Sequence, residues 1–498
     1  MVVGGGINGT GIARDAAGRG LSVLLCEQND LGSATSSASS KLIHGGLRYL
    51  ERYEFGLVAK ALSEREVLLN CAPHIVSPLR FVMPHVPELR PAWMIRLGLF
   101  LYDRLGRRGA LPASAGVDLT GTSFGAGLNS KFKKGFVYSD CQVDDARLVL
   151  LNALSAADLG AIILPRTACV RAERARDLWA VTLRNASGDE LAVSSRALVN
   201  AAGPWAQDVL SSATSEANAH GARLVRGSHI VIPSAYAGEH AYILQNLDRR
   251  VIFMIPYERA YTLVGTTDIP FDGKPEHCTA SEQEIAYLCE AINRYLAKPV
   301  FRKDVVWSFS GLRPLFDDGN SDPSAITRDY VLLLDEREGR APLLSVFGGK
   351  ITTYRKLAEQ VMEKLAPHFR PMRKNWTAHS PLPGGDIPDA DMEKFGQRLG
   401  ARYPFLPADR LRSLMHRHGT LTTAVLGEAN SEIELGAYFG GGLYQREIDY
   451  LIEREWARTG EDVLWRRTKA GLHMNEAQRT EVAAYVATRT KPDSAKCS

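Results

Sequence analysis

The chain has 498 residues, 45% hydrophobic and 23% charged, with a formal net charge of +4. That length exceeds one hydrophobic core and calls for two or three domains, while so small a net charge gives no reason to expect a nucleic-acid partner. The seven cysteines (Cys26, Cys71, Cys141, Cys169, Cys278, Cys289 and Cys497) are scattered without a CxxC pair, which argues against zinc or iron–sulfur sites and fits a reduced, cytoplasmic chain.

Gly4-Gly5-Gly6-Ile7-Asn8-Gly9 opens the chain with the spacing of a dinucleotide fold. Gly4 permits the tight turn, Gly6 lets backbone approach a pyrophosphate, and Gly9 lets a helix pack close to its sheet. The pyrophosphate would sit over the helix N-terminus, where free N–H groups favour negative charge. Residues 21–27 read as the second strand, ending in Glu27, an acceptor for an adenosine ribose. Only three residues precede Gly4, fewer than the usual strand, so a few upstream residues are expected to be missing. A Ser-rich loop covers residues 33–40, and no signal peptide precedes the fingerprint.

Residues 90–108 hold Trp93, Met94, Ile95, Leu97, Leu99 and Leu101, with Arg96, Arg104 and Arg107 gathering on one side if the segment is helical. Such a basic, Trp-bearing helix suits a membrane interface. The competing reading is a buried helix with a narrow wet edge. Residues 148–164 form the most apolar stretch, but Asn152, Ser155, Asp158 and Gly160 interrupt it, predicting a helix and then a strand instead of a membrane span.

Residues 178–183 and 190–193 predict a hairpin, and 197–203 a short strand ending in a glycine turn. From 225 to 333 the pattern changes: 251–255 and 261–267 predict antiparallel neighbours, with a further strand at 305–310. Residues 345–350 give strand and glycine turn again, before a helix from about 353 to 365. Residues 382–388 have linker composition, and the remainder is helical, most clearly at 444–458. The expected organisation is a discontinuous cofactor domain (1–75, 140–215 and 311–370), an antiparallel-sheet substrate domain (76–139 and 216–310), a linker (371–388), a helical cap (389–490) and a disordered tail (491–498).

Gly4 to Gly9 and the distant Gly348-Gly349 both feed helices. A nicotinamide enzyme needs only the first turn. A flavin gains from a second helix N-terminus, whose dipole stabilises the negative charge of the reduced ring, so FAD is the expected cofactor.

Ala34-Thr35-Ser36-Ser37-Ala38-Ser39-Ser40-Lys41-Leu42-Ile43-His44-Gly45-Gly46-Leu47-Arg48-Tyr49-Leu50 closely resembles the segment after the second strand in FAD-dependent, quinone-linked glycerol-3-phosphate dehydrogenases. So do Gly227-Ser228-His229-Ile230, Gly265-Thr266-Thr267-Asp268, Ser310-Gly311-Leu312-Arg313-Pro314, Ile326-Thr327-Arg328-Asp329-Tyr330 and Phe347-Gly348-Gly349-Lys350-Ile351-Thr352-Thr353-Tyr354-Arg355, and Glu461 to Thr468 in the helical region. The resemblance implies an α/β Rossmann-like FAD domain with a D-amino-acid-oxidase-like substrate domain and a helical C-terminal cap. It also implies oxidation of sn-glycerol 3-phosphate to dihydroxyacetone phosphate, with hydride passing to the flavin and electrons to a membrane quinone. Expected cofactor contacts are Gly4, Gly6, Asn8, Gly9, Glu27, Thr35, Ser36, Ser37, Lys41, His44, Gly45, Gly46, Val170, Ala202, Gly203, Gly348, Gly349, Lys350, Ile351 and Thr352.

The phosphate dianion needs convergent cations with fixed donors, and arginine supplies a planar fork. Arg313 and Arg328 are the expected phosphate ligands, with Arg48 near flavin or substrate oxygens. His229 is the candidate base for the hydroxyl proton. Lys350 is the alternative base, and Tyr49 and Thr266 are hydrogen-bonding neighbours. No metal site is expected. Quinone delivery implies peripheral attachment to the inner leaflet of the cytoplasmic membrane, with a homodimer as a further expectation. A glycerol-3-phosphate oxidase using O₂ and a non-catalytic flavin-binding protein are the competing functions.

Overall fold

A computed structural model describes residues 1–106, 109, 111–214, 221–248, 250–317, 329–336, 339–369 and 371–490. Arg107, Arg328 and the expected tail at 491–498 lie outside the described residues.

The first glycine turn follows the short Val2–Val3 strand, which pairs in parallel with Leu24–Cys26 on one side and Leu198–Asn200 on the other. Ile162–Leu164 extends this sheet in parallel beyond Leu24–Cys26. Leu343–Phe347 extends it beyond Leu198–Asn200, and Val331–Asp335 closes that edge antiparallel. Central parallel strands are apolar on both faces because both faces are covered. Helices Ile7–Gly18, Asp145–Asp158 and Tyr354–Leu365 bury Ile12, Ala13, Leu148, Leu151, Leu357 and Val361 on one side. A three-stranded antiparallel sheet (Thr167–Ala175, Leu178–Asn185 and Glu190–Ser195) packs Trp179, Val181 and Leu183 against Val3, Leu198 and Leu343 on the other. The predicted hairpin at 178–193 supplies two of that sheet's three strands.

The second layer system is a ten-stranded sheet. Its pairings are antiparallel except for Ala241–Gln245 beside Val76–Pro84. Helix Glu282–Asn293 covers one face with Ile285, Leu288 and Ile292, while Phe55–Cys71 and Ala92–Leu105 supply Val58, Leu62 and Leu99 to the other. The predicted strand at 305–310 is longer than expected. It spans Trp307–Asp317 and pairs without a break from Val231↔Trp307 to Gly221↔Asp317, so it runs through residue 310 within one sheet. Leu42–Ile43, just after the Ser-rich loop, also belongs to this sheet and not to the cofactor sheet.

The cap carries helices Met392–Arg402, Ala408–His418, Gln445–Arg454 and Glu476–Thr490, with a wide helical turn at Asp462–Arg467. Ion pairs fasten it to the cofactor domain. Asp30 receives Arg466 Nε (2.5 Å) and Arg467 Nη2 (2.9 Å), Arg166 reaches Asp462 (2.7 Å), and Arg147 reaches Glu455 (2.9 Å). Asp30, Arg147, Glu455 and Arg467 are buried. Removing one partner of such a pair strands the other charge in low dielectric, at a cost of about 3–5 kcal/mol.

Candidate cofactor and substrate site

Three segments far apart in sequence converge at the carboxyl ends of the parallel strands. Gly4 sits at φ +109°, and a Cβ there would lie 2.4 Å from the Ala201 carbonyl oxygen. A Cβ on Gly9 would lie 1.9 Å from the Gly4 oxygen, which is why the helix can seat so close to its strand. Gly6, the N-cap of Ile7–Gly18, has no side chain of its own to cap the helix, and the first turn holds no acid, so no carboxylate competes with an anion at this helix end. Ser36 Oγ accepts from Ile7 N–H (3.0 Å), which folds the Ser-rich loop over the turn. Glu27 Oε2 accepts from Gly5 N–H (2.6 Å) and Oε1 from Asn29 N–H (2.8 Å). Burial pushes this carboxyl up from its ordinary range, and the two backbone donors pull it back. Ala202 and Gly203 follow the Leu198–Asn200 strand directly opposite Gly4, and Val170 lies at the irregularity of Thr167–Ala175.

The second glycine turn joins the first through Asn8. Its Nδ2 donates to the Gly348 carbonyl (3.1 Å), and a Cβ on Gly349, at φ +101°, would lie 3.0 Å from the same atom. Lys350 caps the Ile351–Thr353 turn, and its buried Nζ has no hydrogen-bond partner among the described residues and lies 3.8 Å from the centroid of the Tyr49 ring. His44 N–H donates to Thr352 Oγ1 (3.3 Å) and Gly45 N–H to Tyr102 Oη (2.8 Å), which fix the His44-Gly45-Gly46 strip beside the second turn. Burial, helped by the Lys350 charge, lowers the His44 pKa to about 4, so its ring is neutral at pH 7. A helix end without acids, a carboxylate held by backbone and a buried ammonium without a hydrogen-bond partner among the described residues fit the pyrophosphate, the ribose and the electron-accepting ring of a dinucleotide.

Lys41 is buried, and its ammonium is held by Asp145 (2.7 Å) and the Ser37 carbonyl (3.0 Å). Its charge is therefore committed beneath the Ser-rich loop, and what it gives a cofactor is the shape of that loop. Thr35 Oγ1 donates to the Leu312 carbonyl (2.6 Å), tying the same loop to the large sheet.

On that sheet, Gly227, His229, Phe309, Gly311 and Arg313 share one face by strand alternation, with Gly227↔Gly311 and His229↔Phe309 as cross-strand pairs. A Cβ on Gly227 would lie 2.8 Å from both Arg313 Nη2 and Thr266 Oγ1, so these two groups adjoin over a glycine floor. Arg313 pairs with Asp268 (3.2 Å) and remains 41% exposed, open to an incoming anion. His229 stacks on Phe309 (5.0 Å between centroids) and packs against the Gly265 backbone, where a Cβ would strike its ring at 2.0 Å. Its Nε2 lies 2.9 Å from Ser40 Oγ, and its buried Nδ1 has no hydrogen-bond partner among the described residues. Burial first, then the Lys41 and Arg313 charges, lower its pKa to about 3, so the imidazole is neutral. Tyr49 is half-buried under Lys350, and Arg48 is exposed on the same turn. Arg328 lies outside the described residues.

Glu284 escaped the sequence reading. Its carboxylate accepts from Ser228 Oγ (2.7 Å), Thr267 Oγ1 (2.8 Å) and Ser281 Oγ (2.8 Å) and pairs with Arg226 (2.7 Å), which ties the strand that carries His229 to the segment after Gly265 and to the helix start. Burial would raise its pKa, but these hydroxyl and backbone donors hold it below the usual range. The capping box Ser281 to Glu284 was visible in sequence, yet that signal marks a helix start, not a site.

Residues 1–355 match the family described as FAD dependent oxidoreductase, and residues 375–496 the family described as the C-terminal domain of alpha-glycerophosphate oxidase. A glycerol-3-phosphate dehydrogenase of Pseudomonas aeruginosa is 53% identical over 485 residues, covering 97% of this chain and 94% of that protein. A D-erythritol 1-phosphate dehydrogenase of Brucella abortus is likewise 53% identical, over 98% of this chain and 96% of its own. The crystal structure of a glycerol-3-phosphate dehydrogenase from Bacillus halodurans complexed with FAD superposes with a TM-score of 0.72 at 25% identity, covering 98% of this chain and 94% of that one.

Proposed function

The chain belongs to the FAD-dependent oxidoreductase family of the glycerol-3-phosphate dehydrogenases, and from that premise we propose that it oxidises sn-glycerol 3-phosphate to dihydroxyacetone phosphate and passes the electrons to a membrane quinone. The observation that carries this reading is the meeting of Arg313 and Thr266 over Gly227, on the same sheet face as a neutral, buried His229. FAD, when bound, supplies the two-electron acceptor for the hydrogen on substrate carbon. Arg313 takes phosphate oxygens, with the Asp268 carboxylate giving way at the exposed end of the pair, and Thr266 Oγ1 donates beside it. That leaves the secondary hydroxyl near His229, which accepts its proton as the carbonyl forms. Ser40 and the Phe309 ring hold the imidazole in one orientation. Lys350 offers a fixed positive charge next to the second glycine turn, where negative charge accumulates on reduction.

The Brucella relative supports a second substrate, D-erythritol 1-phosphate, also a polyol monophosphate. Anaerobic bleaching of the flavin absorbance separates the two. Glycerol 3-phosphate is expected to bleach it fully within one turnover at micromolar to millimolar concentration, and glycerol and lactate to leave it oxidised. Faster bleaching by D-erythritol 1-phosphate would reassign the substrate, and an inert flavin with both would sink the enzyme reading. The oxidase alternative draws on the family matched by residues 375–496. Hydrogen peroxide formed at the rate of substrate oxidation would favour it over quinone.

For quinone delivery, the outer face of Ala92–Leu105 supports attachment to a lipid surface. No helix of the described residues is long and apolar enough to cross a membrane. Only Ile95, Leu99 and Tyr102 of this helix are buried, so the narrow-wet-edge alternative does not describe it. Trp93, Met94, Leu97 and Phe100 are 66%, 46%, 49% and 45% exposed. Arg96 and Arg104 flank them, and the Arg104 guanidinium lies 3.6 Å from the Phe100 ring centroid, a pairing that lets a cation follow an aromatic into the headgroup layer. Leu97→Ser with Phe100→Ser is expected to cut flotation with anionic liposomes several-fold; unchanged flotation would remove the helix from this role.

A further inference from the structure

Four aromatic rings run in line from the site to the cap. His229 stacks on Phe309 at 5.0 Å with only 15° between planes, Phe309 meets Trp307 at 4.8 Å, and Trp307 meets Trp465 at 4.8 Å. The first three belong to the large sheet. Phe309 and Trp307 are successive same-face residues of Trp307–Asp317, and His229 is the cross-strand partner of Phe309. Trp465 belongs to the cap and comes from the Asp462–Arg467 turn, whose flanking side chains grip the cofactor domain through Asp30 and Arg166. Gly471 makes room for it, since a Cβ there would lie 2.9 Å from its ring. Nearby, Tyr261 Oη donates to the Leu472 carbonyl (2.7 Å), a second bond between sheet and cap.

His229 is held on one side by the Gly265 backbone, which cannot yield, and on the other by the Phe309 ring, with Ser40 Oγ at its Nε2. Phe309 is flanked in turn by Trp307 and by Lys41 Nζ, 5.3 Å from its centroid, and Trp307 by Trp465. We propose that Trp465 is a positioning residue for His229, acting through Trp307 and Phe309, so that the cap sets the orientation and dryness of the base. This rests on the reading of His229 as the base. Offset rings resist sliding because dispersion and quadrupole terms both fall off steeply with displacement. A base moved by a fraction of an ångström loses its alignment with the hydroxyl proton, which costs rate and not affinity. The phosphate ligands lie toward the other end of the strand pair, beyond Gly311, and are untouched.

The test uses full-length, FAD-loaded enzyme. Trp465→Leu is expected to lower kcat for glycerol 3-phosphate oxidation by about five- to tenfold with KM within about twofold. The acid limb of kcat/KM should move up by roughly one pH unit as water reaches the imidazole. Trp465→Phe, which keeps a ring in line, should restore most of the rate. Gly471→Ala, which pushes on the Trp465 ring, should reproduce the defect and carries the test if Trp465→Leu fails to accumulate with FAD bound. Wild-type kcat and pH profile in these variants, with only a lower Tm, would overturn the proposal and leave Trp465 a packing residue. His229→Asn measured alongside separates the two readings: an active His229→Asn enzyme sinks the base assignment itself, while an inactive one beside a normal Trp465→Leu sinks only the role of the cap.

Discussion

Replacing His229 by Asn is expected to lower kcat by about 10²–10⁴-fold while FAD stays bound. Asn is smaller than the slot between Gly265 and Phe309 and stops short of the Nε2 position that meets Ser40 Oγ, so the change removes the proton acceptor together with that one contact. The sign of the pH effect follows from the lowered pKa of about 3. A base works only when neutral, so His229 stays competent well below the ordinary histidine value of about 6.5, and activity should not fall through pH 6.5 on its account. The same shift links to stability. The unfolded histidine takes up a proton below about 6.5 and the folded one does not, so this residue's contribution is intact above that pH and is lost as pH falls toward 3. Stopped-flow reduction of the flavin without oxygen measures the step directly. A rate within about fivefold of wild type would hand the proton to Lys350, whose buried Nζ has no hydrogen-bond partner among the described residues.

Arg313→Ala is expected to lower kcat/KM for glycerol 3-phosphate by about 10²-fold or more, mainly through KM. Hydrogen bonds to a charged group contribute about 1.5–3 kcal/mol each, and a guanidinium offers two in parallel. Arg313→Lys should recover only part, because an ammonium cannot match two phosphate oxygens at once. Losing the partner of Asp268 costs little stability, since that carboxylate is 45% exposed. Glycerol supplies the control at concentrations far above those at which it leaves the flavin oxidised: its slow reaction does not use the phosphate ligands and should not change in the variant. Equal losses for glycerol and its phosphate would mean that Arg313 shapes the site and does not bind the dianion.

Much of this could be read from the chain because the governing chemistry is local. Gly4, Gly6 and Gly9 declare themselves by spacing, since a turn, a close approach and a tight helix contact each exclude a side chain within six residues. The hairpin at 178–193 and the antiparallel pair at 251–265 show in alternation alone. Glu284 and Asp145 did not. Each gains its meaning from partners more than 15 residues away, Ser228 and Thr267 for one and Lys41 for the other, and in sequence both look like ordinary helix-start acids. Trp465 was visible within a family-like motif, but that Trp307 lies against it depends on how cap and sheet dock. The eleven-residue reach of Trp307–Asp317 was hidden because Gly311 and Pro314 punctuate it like a loop.

The bond from Asn8 to the Gly348 carbonyl spans 340 residues. At ribosomal rates of 5–20 residues per second, roughly 20–70 s separate the synthesis of its two ends. Val2–Val3 likewise waits for Leu198–Asn200, which in turn waits for Leu343–Phe347 on its far side. The emerging chain therefore carries half a nucleotide cradle, with apolar strand edges open, through most of translation. Cofactor capture is a late event in the life of each molecule. Cells short of flavin would therefore show the shortage in this protein's finished, colourless chains and not in its nascent ones, which cannot yet hold the cofactor.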